Sequence, residues 1–226
     1  RKLPSGSIYY AINGNANFSL KSGLNKGTKK SLVSGYQKKF ANRNDDRYLE
    51  EMILKINTTS KAEFGREVEK VVDVEKYLRW LAGVVLTQNY DGFVHNYALY
   101  RNGDTGRFEM IPWDYDATWG RDVHGRTLRS DYVPIEGFNT LTARILDVDE
   151  IRNRYQRLLK QLLNTHFTIE HMTPKVDSLV QKLHPYMGKD PYTKHAMKQF
   201  EREPKVICDY IEKRRKFVTE QLYKLS

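Results

Sequence analysis

Residues 89–116, NYDGFVHNYALYRNGDTGRFEMIPWDYD, decide how the chain is read. Within them Tyr97 to Tyr100 and Phe108 to Ile111 have the character of strands. The connection Arg101 to Arg107 carries Asn102, Gly103, Asp104 and Gly106, the composition of a β-hairpin loop. A hairpin folds its two ends together, so Asp91 and Asn96 just before it are expected beside Asp114 and Asp116 just after it. Three carboxylates and a carboxamide, with no cysteine or paired histidine nearby, are hard oxygen donors that suit Mg²⁺ or Mn²⁺ over Zn²⁺.

Spacing sharpens the chemistry. Phosphoryl transfer needs one carboxylate near the acceptor hydroxyl, and metal ions held by Asp and Asn against the phosphates. In protein kinases a catalytic-base Asp precedes a metal-binding Asn by five residues, and a hairpin then leads to a metal-binding Asp. Asp91 and Asn96 reproduce that interval, a hairpin follows, and Asp114 stands at its far end. The competing structural reading is a turn at Asp91-Gly92, with Asp114 and Asp116 satisfying loop amides.

Outward from this stretch the pattern is helical. Val74, Leu78, Leu81 and Val85 repeat at spacings of 4, 3 and 4 behind Asp73, a capping residue, and this helix runs into Thr87 to Tyr90. Leu49, Met52, Ile53 and Ile56 share a face of an earlier helix, which Asn57 to Thr59 break. Ser60 with Glu63 is a capping-box signature for the next. Beyond Asn139 a stripe of Ile151, Tyr155, Leu158 and Leu162 is expected, then a helix starting at Thr173-Pro174 with Val176, Leu179 or Val180, and Leu183. Ile207, Ile211, Phe217 and Leu222 mark the last helix, with Lys213 to Lys216 as its solvated face. Ahead of all this lie a short strand candidate, Gly6 to Ile12, and a turn-rich stretch, Asn13 to Lys30.

Length and charge exclude several classes. The chain has 226 residues, enough for one large domain or two small ones. Its 27 aromatic residues argue against disorder. The longest apolar run, Leu81 to Leu86, is far below the roughly 20 residues that span a bilayer. Nothing near Arg1 resembles a signal peptide, and the chain reads as soluble. Arg1 in place of an initiator Met reads as the start of a fragment. The single cysteine, Cys208, excludes an internal disulfide framework and a cysteine-based zinc site.

The formal charge of +10 is unevenly placed: residues 1–40 hold eight Lys/Arg and no acid, and the remainder 30 against 28. The eight are Arg1, Lys2, Lys21, Lys26, Lys29, Lys30, Lys38 and Lys39. They read either as an anion contact or as a solvated arm.

The run Asn89-Tyr90-Asp91-Gly92 with Asn96-Tyr97, then Ile111-Pro112-Trp113-Asp114-Tyr115-Asp116 and Trp119-Gly120, closely resembles the spore coat protein H (CotH) kinase family. Gly6-Ser7-Ile8-Tyr9, Tyr36 with Lys39, the Asp73 to Leu86 helix and the Asn139 to Tyr155 region share the likeness, so it covers most of the chain. The resemblance implies an atypical protein-kinase-like α+β fold. In that fold residues 1–44 form part of a small N-terminal lobe, and residues 45–226 a mainly helical C-lobe with the active site at 91–116.

The resemblance also implies transfer of the γ-phosphate of ATP, with Mg²⁺ or Mn²⁺, to serines of spore-coat-type proteins, in the spore coat or the cytoplasm of the sporulating cell. Asp91 matches the catalytic base, Asp114 and Asn96 match metal ligands, and Asp116 the second acidic residue of that element. Trp113, with Asp91, Asn96 and Asp114, is a candidate for nucleotide binding, since a tryptophan can stack on adenine. A packed core is the alternative for Trp113 and Trp119.

Departures accompany the likeness. No G-x-G-x-x-G loop and no V-A-I-K lysine is present. Lys38 and Lys39 are the candidate phosphate lysines, against the competing reading of each as an exposed strand or loop lysine, and the spacing does not choose between Glu50 and Glu51 as an ion-pair partner. His95 reads as a packed or hydrogen-bonded loop histidine, because Asp91 already fills the base position. Two other functions compete: a catalytically silent kinase-like scaffold, and a nucleic-acid binder using the basic segment, which carries no recognisable reading motif.

Overall fold

A computed structural model describes residues 4–25, 27–40, 42 and 44–226. Of the basic residues of the first segment, Arg1, Lys2 and Lys26 lie outside the described residues. The chain is mainly helical around one small antiparallel sheet, the α+β class expected.

Among the described residues four strands run in the order β2-β1-β3-β4, with β1 Gly6–Ala11, β2 Tyr36–Phe40, β3 Tyr97–Asn102 and β4 Phe108–Pro112. β3 and β4 are the expected hairpin, with Tyr97 opposite Pro112 and Arg101 opposite Phe108. β1 lies between β2 and β3, so residues from the first forty extend the hairpin's own sheet. Ala11 pairs with Tyr36, Tyr10 with Ala98, and Tyr97 with Pro112. One end of the sheet therefore presents the start of β3 and the exits of β1 and β4. Asn96 and Trp113 flank that end.

The helices are α1 Asp46–Thr58, α2 Lys61–Val71, α3 Val74–Leu86, α4 Asp91–Val94, α5 Thr140–Leu146, α6 Asp149–Thr165, α7 Ile169–Met187, α8 Met197–Phe200 and α9 Glu203–Gln221. Leu49, Met52, Ile53 and Ile56 of α1 are all fully buried, as their spacing demands. The Asp73 carboxylate accepts from Lys76 N–H at 3.0 Å, capping α3, and Asp73 N–H donates to Phe108 O at 2.9 Å, fixing that helix to β4. α3 is buried well beyond one stripe, with Tyr77, Trp80, Ala82 and Val84 also inside, because α6, α9 and β4 all pack on it.

Four expectations need correction. The Ser60 hydroxyl makes no backbone cap on α2 and instead donates to the Glu63 carboxylate at 2.8 Å. The inner face of α6 is Ile151, Tyr155, Leu159 and Leu163, with Leu158 and Leu162 at its margin: the i, i+4 row faces the core. α7 starts at Ile169, where the Thr168 hydroxyl accepts from His171 N–H at 3.1 Å, and Pro174 lies inside it. Leu179 and Leu183 are exposed.

The fourth correction is in α9. Arg214, expected in solvent, is fully buried. Its guanidinium donates to the carbonyls of Val85 (twice, 2.6 and 3.1 Å), Ser130 (2.5 Å) and Val133 (2.7 Å). The charge survives burial because three carbonyls answer its planar fork.

The described residues between Asn13 and Gly35 form a loop tied by its own hydrogen bonds. Asn15 Oδ1 accepts from Ser22 Oγ and Gly23 N–H, and Lys21 pairs with Thr28 across an isolated bridge. Tyr97 OH donates to Ala16 O at 2.5 Å, and Phe18 stacks on the Tyr97 ring, tying this loop to the first residue of β3.

Candidate active site

α3 ends in a loop that its own backbone and α9 hold in place. Tyr210 OH donates to Leu86 O at 2.6 Å, beside the Arg214 bonds to Val85 O, so two α9 side chains satisfy carbonyls of the last helical turn. Gln88 takes a φ of +52° and its amide donates to Arg129 O. Asn89 Oδ1 then accepts from Gly92 N–H at 2.8 Å and starts the short helix α4. Asp91 opens α4. The turn considered for Asp91-Gly92 is thus one helical turn.

After α4 the chain reverses through Asn96, whose φ is +46°, a left-handed geometry that asparagine tolerates better than most residues. Asn96 Nδ2 donates to Asp91 Oδ2 at 2.5 Å. The Asp91 side chain keeps 18% of its surface in solvent, and Asn96 is 9% exposed. His95 Nε2 stands 3.7 Å from Asp91 Oδ1, beyond hydrogen-bond length.

The far end of the hairpin returns to the same place. A Cβ on Gly92 would sit 3.1 Å from Tyr115 OH and 3.3 Å from Asn89 Oδ1, so a larger residue at 92 would press the Tyr115 ring back from α4 by a few tenths of an ångström. Tyr115 OH accepts from Trp80 Nε1 at 2.7 Å, anchoring the segment after β4 to α3. Burial pushes that phenol up to about 12. Asp114, one residue earlier, is exposed and has a φ of +55°. Of the six non-glycine residues at positive φ among the described residues, Gln88, Asn96, Asp114 and Trp119 fall within this region, and such strain concentrates at functional sites.

Asp116 Oδ1 accepts from the N–H of Ala117 at 2.8 Å. Among the described residues no three His, Cys, Asp or Glu side chains form a group able to hold a metal ion, so the three carboxylates do not gather into an acidic cluster. Mg²⁺ rarely needs one: one or two protein carboxylates suffice, with water and phosphate oxygens completing the shell. The exposed Asp114 carboxylate and Asn96 Oδ1 are hard donors of that kind, and the donor set fits an ion arriving with a nucleotide.

Two aromatic residues flank the open end of the sheet. Trp113 is 49% exposed, and its ring centroid is 5.1 Å from that of Tyr10 on β1; Lys39 Nζ lies 5.0 Å over the other ring of the pair, Tyr10. Trp119, in contrast, packs between Phe167 and Tyr210, a core role. Lys38, on the opposite face, pairs with Asp46 at 2.9 Å, and Tyr9 OH donates to the same carboxylate. Glu50 and Glu51, the expected partners, lie a turn further along α1. Lys29 is buried, and its amine has no polar partner among the described residues.

A cavity of about 270 Å³ opens beside Asp91, between Tyr90, Tyr132 and the segment Arg121 to Leu128. Asp91 is among the residues that line it.

Compared with known proteins, the chain matches the family described as CotH kinase protein over residues 1–218. The chain belongs to the CotH kinase family. It is 58% identical over 222 residues to the inner spore coat protein H of Bacillus subtilis (strain 168), covering 98% of this chain and 61% of that protein. It is 26% identical over 184 residues to the inner spore coat protein H-like protein of the same organism, covering 81% and 57%. The chain thus spans about three fifths of the length of these curated relatives. Within the CotH pattern the motif readily legible in sequence is Pro-Trp-Asp-x-Asp. Its Tyr115 is seated by Gly92 and Trp80, and the α9 pair Tyr210 and Arg214 holds the end of α3; these residues are scattered along the chain and carry no spacing signal.

Proposed function

We propose that this CotH-family chain is an ATP- and Mg²⁺-dependent protein serine kinase of the spore coat. The observation that carries the reading is the Asp91–Asn96 hydrogen bond at 2.5 Å, five residues apart, with Tyr115, the residue after Asp114, packed against Gly92 of α4. Membership of the family and the printed name of the 58% identical relative, an inner spore coat protein, support the setting.

In this reading Asp91 accepts the proton of the attacking serine hydroxyl as the serine Oγ–P bond forms and the bond from the γ-phosphorus to the bridging oxygen of ADP breaks. Asn96 Nδ2 fixes the Asp91 carboxylate, leaving one oxygen free to face the hydroxyl. Asp114 and Asn96 Oδ1 would hold Mg²⁺, with Asp116 nearby; the ion supplies positive charge against the phosphates. Trp113 and Tyr10 present aromatic faces for the base. Lys39 puts positive charge beside Tyr10 on one face of the sheet, whereas on the other face Lys38 is neutralised by Asp46. Proteins rich in serine, of the coat, are the acceptors.

The test is a transfer assay with labelled ATP and a serine-rich peptide, comparing the wild type with Asp91→Asn. Label incorporation by the wild type that the variant loses, with nucleotide-induced stabilisation kept in both, supports the assignment. Equal incorporation overturns it.

A further inference from the structure

The cavity beside Asp91 does not end there. Arg121 and Leu128 line it and also line a larger cavity of about 700 Å³ against α9, floored by Trp119, Tyr210 and Phe217. Arg121 and Val206 continue into a third, about 530 Å³, reaching α8. The three form one trough leading away from the Asp91 carboxylate, with Arg121 at the junction.

Its charge is lopsided once pairing is counted. Every carboxylate lining it apart from Asp91 is already matched: Asp122 with Arg126 at 2.7 Å, Asp131 with Arg129 at 2.7 Å, Glu203 with Arg121 at 2.8 Å, and Asp209 with Lys205 at 2.8 Å. Lys198, Arg202 and Lys213 line the same trough, are exposed, and have no carboxylate within ion-pair distance among the described residues. The far part of the trough is therefore an apolar floor edged by three uncommitted cations, which suits an extended peptide bearing anionic side chains.

Resting on the kinase reading above, we propose that this trough is the acceptor groove and that it favours peptides carrying phosphoserine or carboxylate residues away from the acceptor serine. The product of one turnover then carries the anion the groove accepts. Serines in a cluster would be phosphorylated in succession, each addition strengthening the next encounter.

Three peptides of one length test this, each with a single acceptor serine flanked on both sides by phosphoserine, glutamate or glutamine. Binding is read by fluorescence anisotropy and transfer with labelled ATP, for the wild type and for the exposed-surface variants Lys198→Glu/Arg202→Glu/Lys213→Glu and Lys198→Gln/Arg202→Gln/Lys213→Gln. The wild type is expected to bind the phosphoserine peptide about tenfold more tightly than the glutamine peptide, with glutamate between. In both variants that ratio is expected to fall to within about twofold. Transfer to all three peptides with no order of affinity, or an order that both variants retain, overturns the groove while leaving the kinase reading intact. An order of affinity that the variants lose, without transfer to any peptide, overturns the kinase reading instead.

Discussion

Asn96 Nδ2 donates to Asp91 Oδ2 at 2.5 Å across a left-handed reversal at φ +46°. One residue thus supplies both the turn that ends α4 and the hydrogen bond that orients the carboxylate. Glycine at 96 would keep the turn and remove the hydrogen bond. Asn96→Gly is expected to melt within about 2–4 °C of the wild type, a change of about 1 kcal/mol or less for a chain of this size, while transfer falls by about 10²-fold. Calorimetry and a transfer assay check it; activity that survives the substitution removes Asn96 from the site.

The contact between Gly92 and Tyr115 gives a prediction about assembly. A methyl group at 92 meets the phenol at 3.1 Å and a buried amide oxygen at 3.3 Å, and each of these atoms is held by a hydrogen bond, from Trp80 and from Gly92 N–H. Gly92→Ala should cost about 1–3 kcal/mol in urea unfolding. Tyr115→Phe loses the bond from Trp80 and should cost about 1 kcal/mol. Should Gly92→Ala prove neutral, the hairpin return is looser than drawn.

Arg214 holds three carbonyls from two segments that no backbone ladder joins. Burial without a carboxylate partner pulls its guanidinium down to about 10. Arg214→Met leaves those carbonyls unanswered and is expected to destabilise by at least about 3 kcal/mol, at about 1 kcal/mol or more each. Urea denaturation measures it, and a cost below 1 kcal/mol would mean that water replaces the guanidinium.

Lys29 sets a pH dependence. Desolvation lowers its amine to about 8 from an ordinary value of 10.5. Between those values the unfolded chain binds more protons than the folded one, so unfolding free energy from this group rises with pH from about 8 to 10.5. Below pH 8 the buried charge is a net cost. Lys29→Met is therefore expected to be more stable than the wild type at pH 7, with the difference shrinking by pH 10. Parallel stability curves for the two proteins would contradict this.

Legibility in the sequence followed the physics of each segment. The β3–β4 hairpin, the Asp73 cap and the inner face of α1 were readable because turn composition, capping and 3.6-residue periodicity are local signals. β2 was not: Tyr36–Phe40 is an edge strand with lysines at 38 and 39, and such charge protects an edge while erasing alternation. Arg214 hid within a run of four basic residues, and only the tertiary arrangement of carbonyls shows why one of them turns inward. The spacing of Asp91, Asn96 and Asp114 was visible from the start. The carboxylates proved more dispersed than a converging cluster, because Asp116 satisfies a loop amide and Asp114 faces solvent.

The central claim is that Asp91 takes the serine proton during phosphoryl transfer. Rapid-mix single-turnover measurement of label moving from ATP to a serine peptide, wild type against Asp91→Asn at saturating nucleotide, tests it most directly. The account predicts a drop of at least about 10³-fold in the transfer step with nucleotide affinity changed less than about threefold. A transfer rate within tenfold of the wild type, at equal affinity, would contradict it.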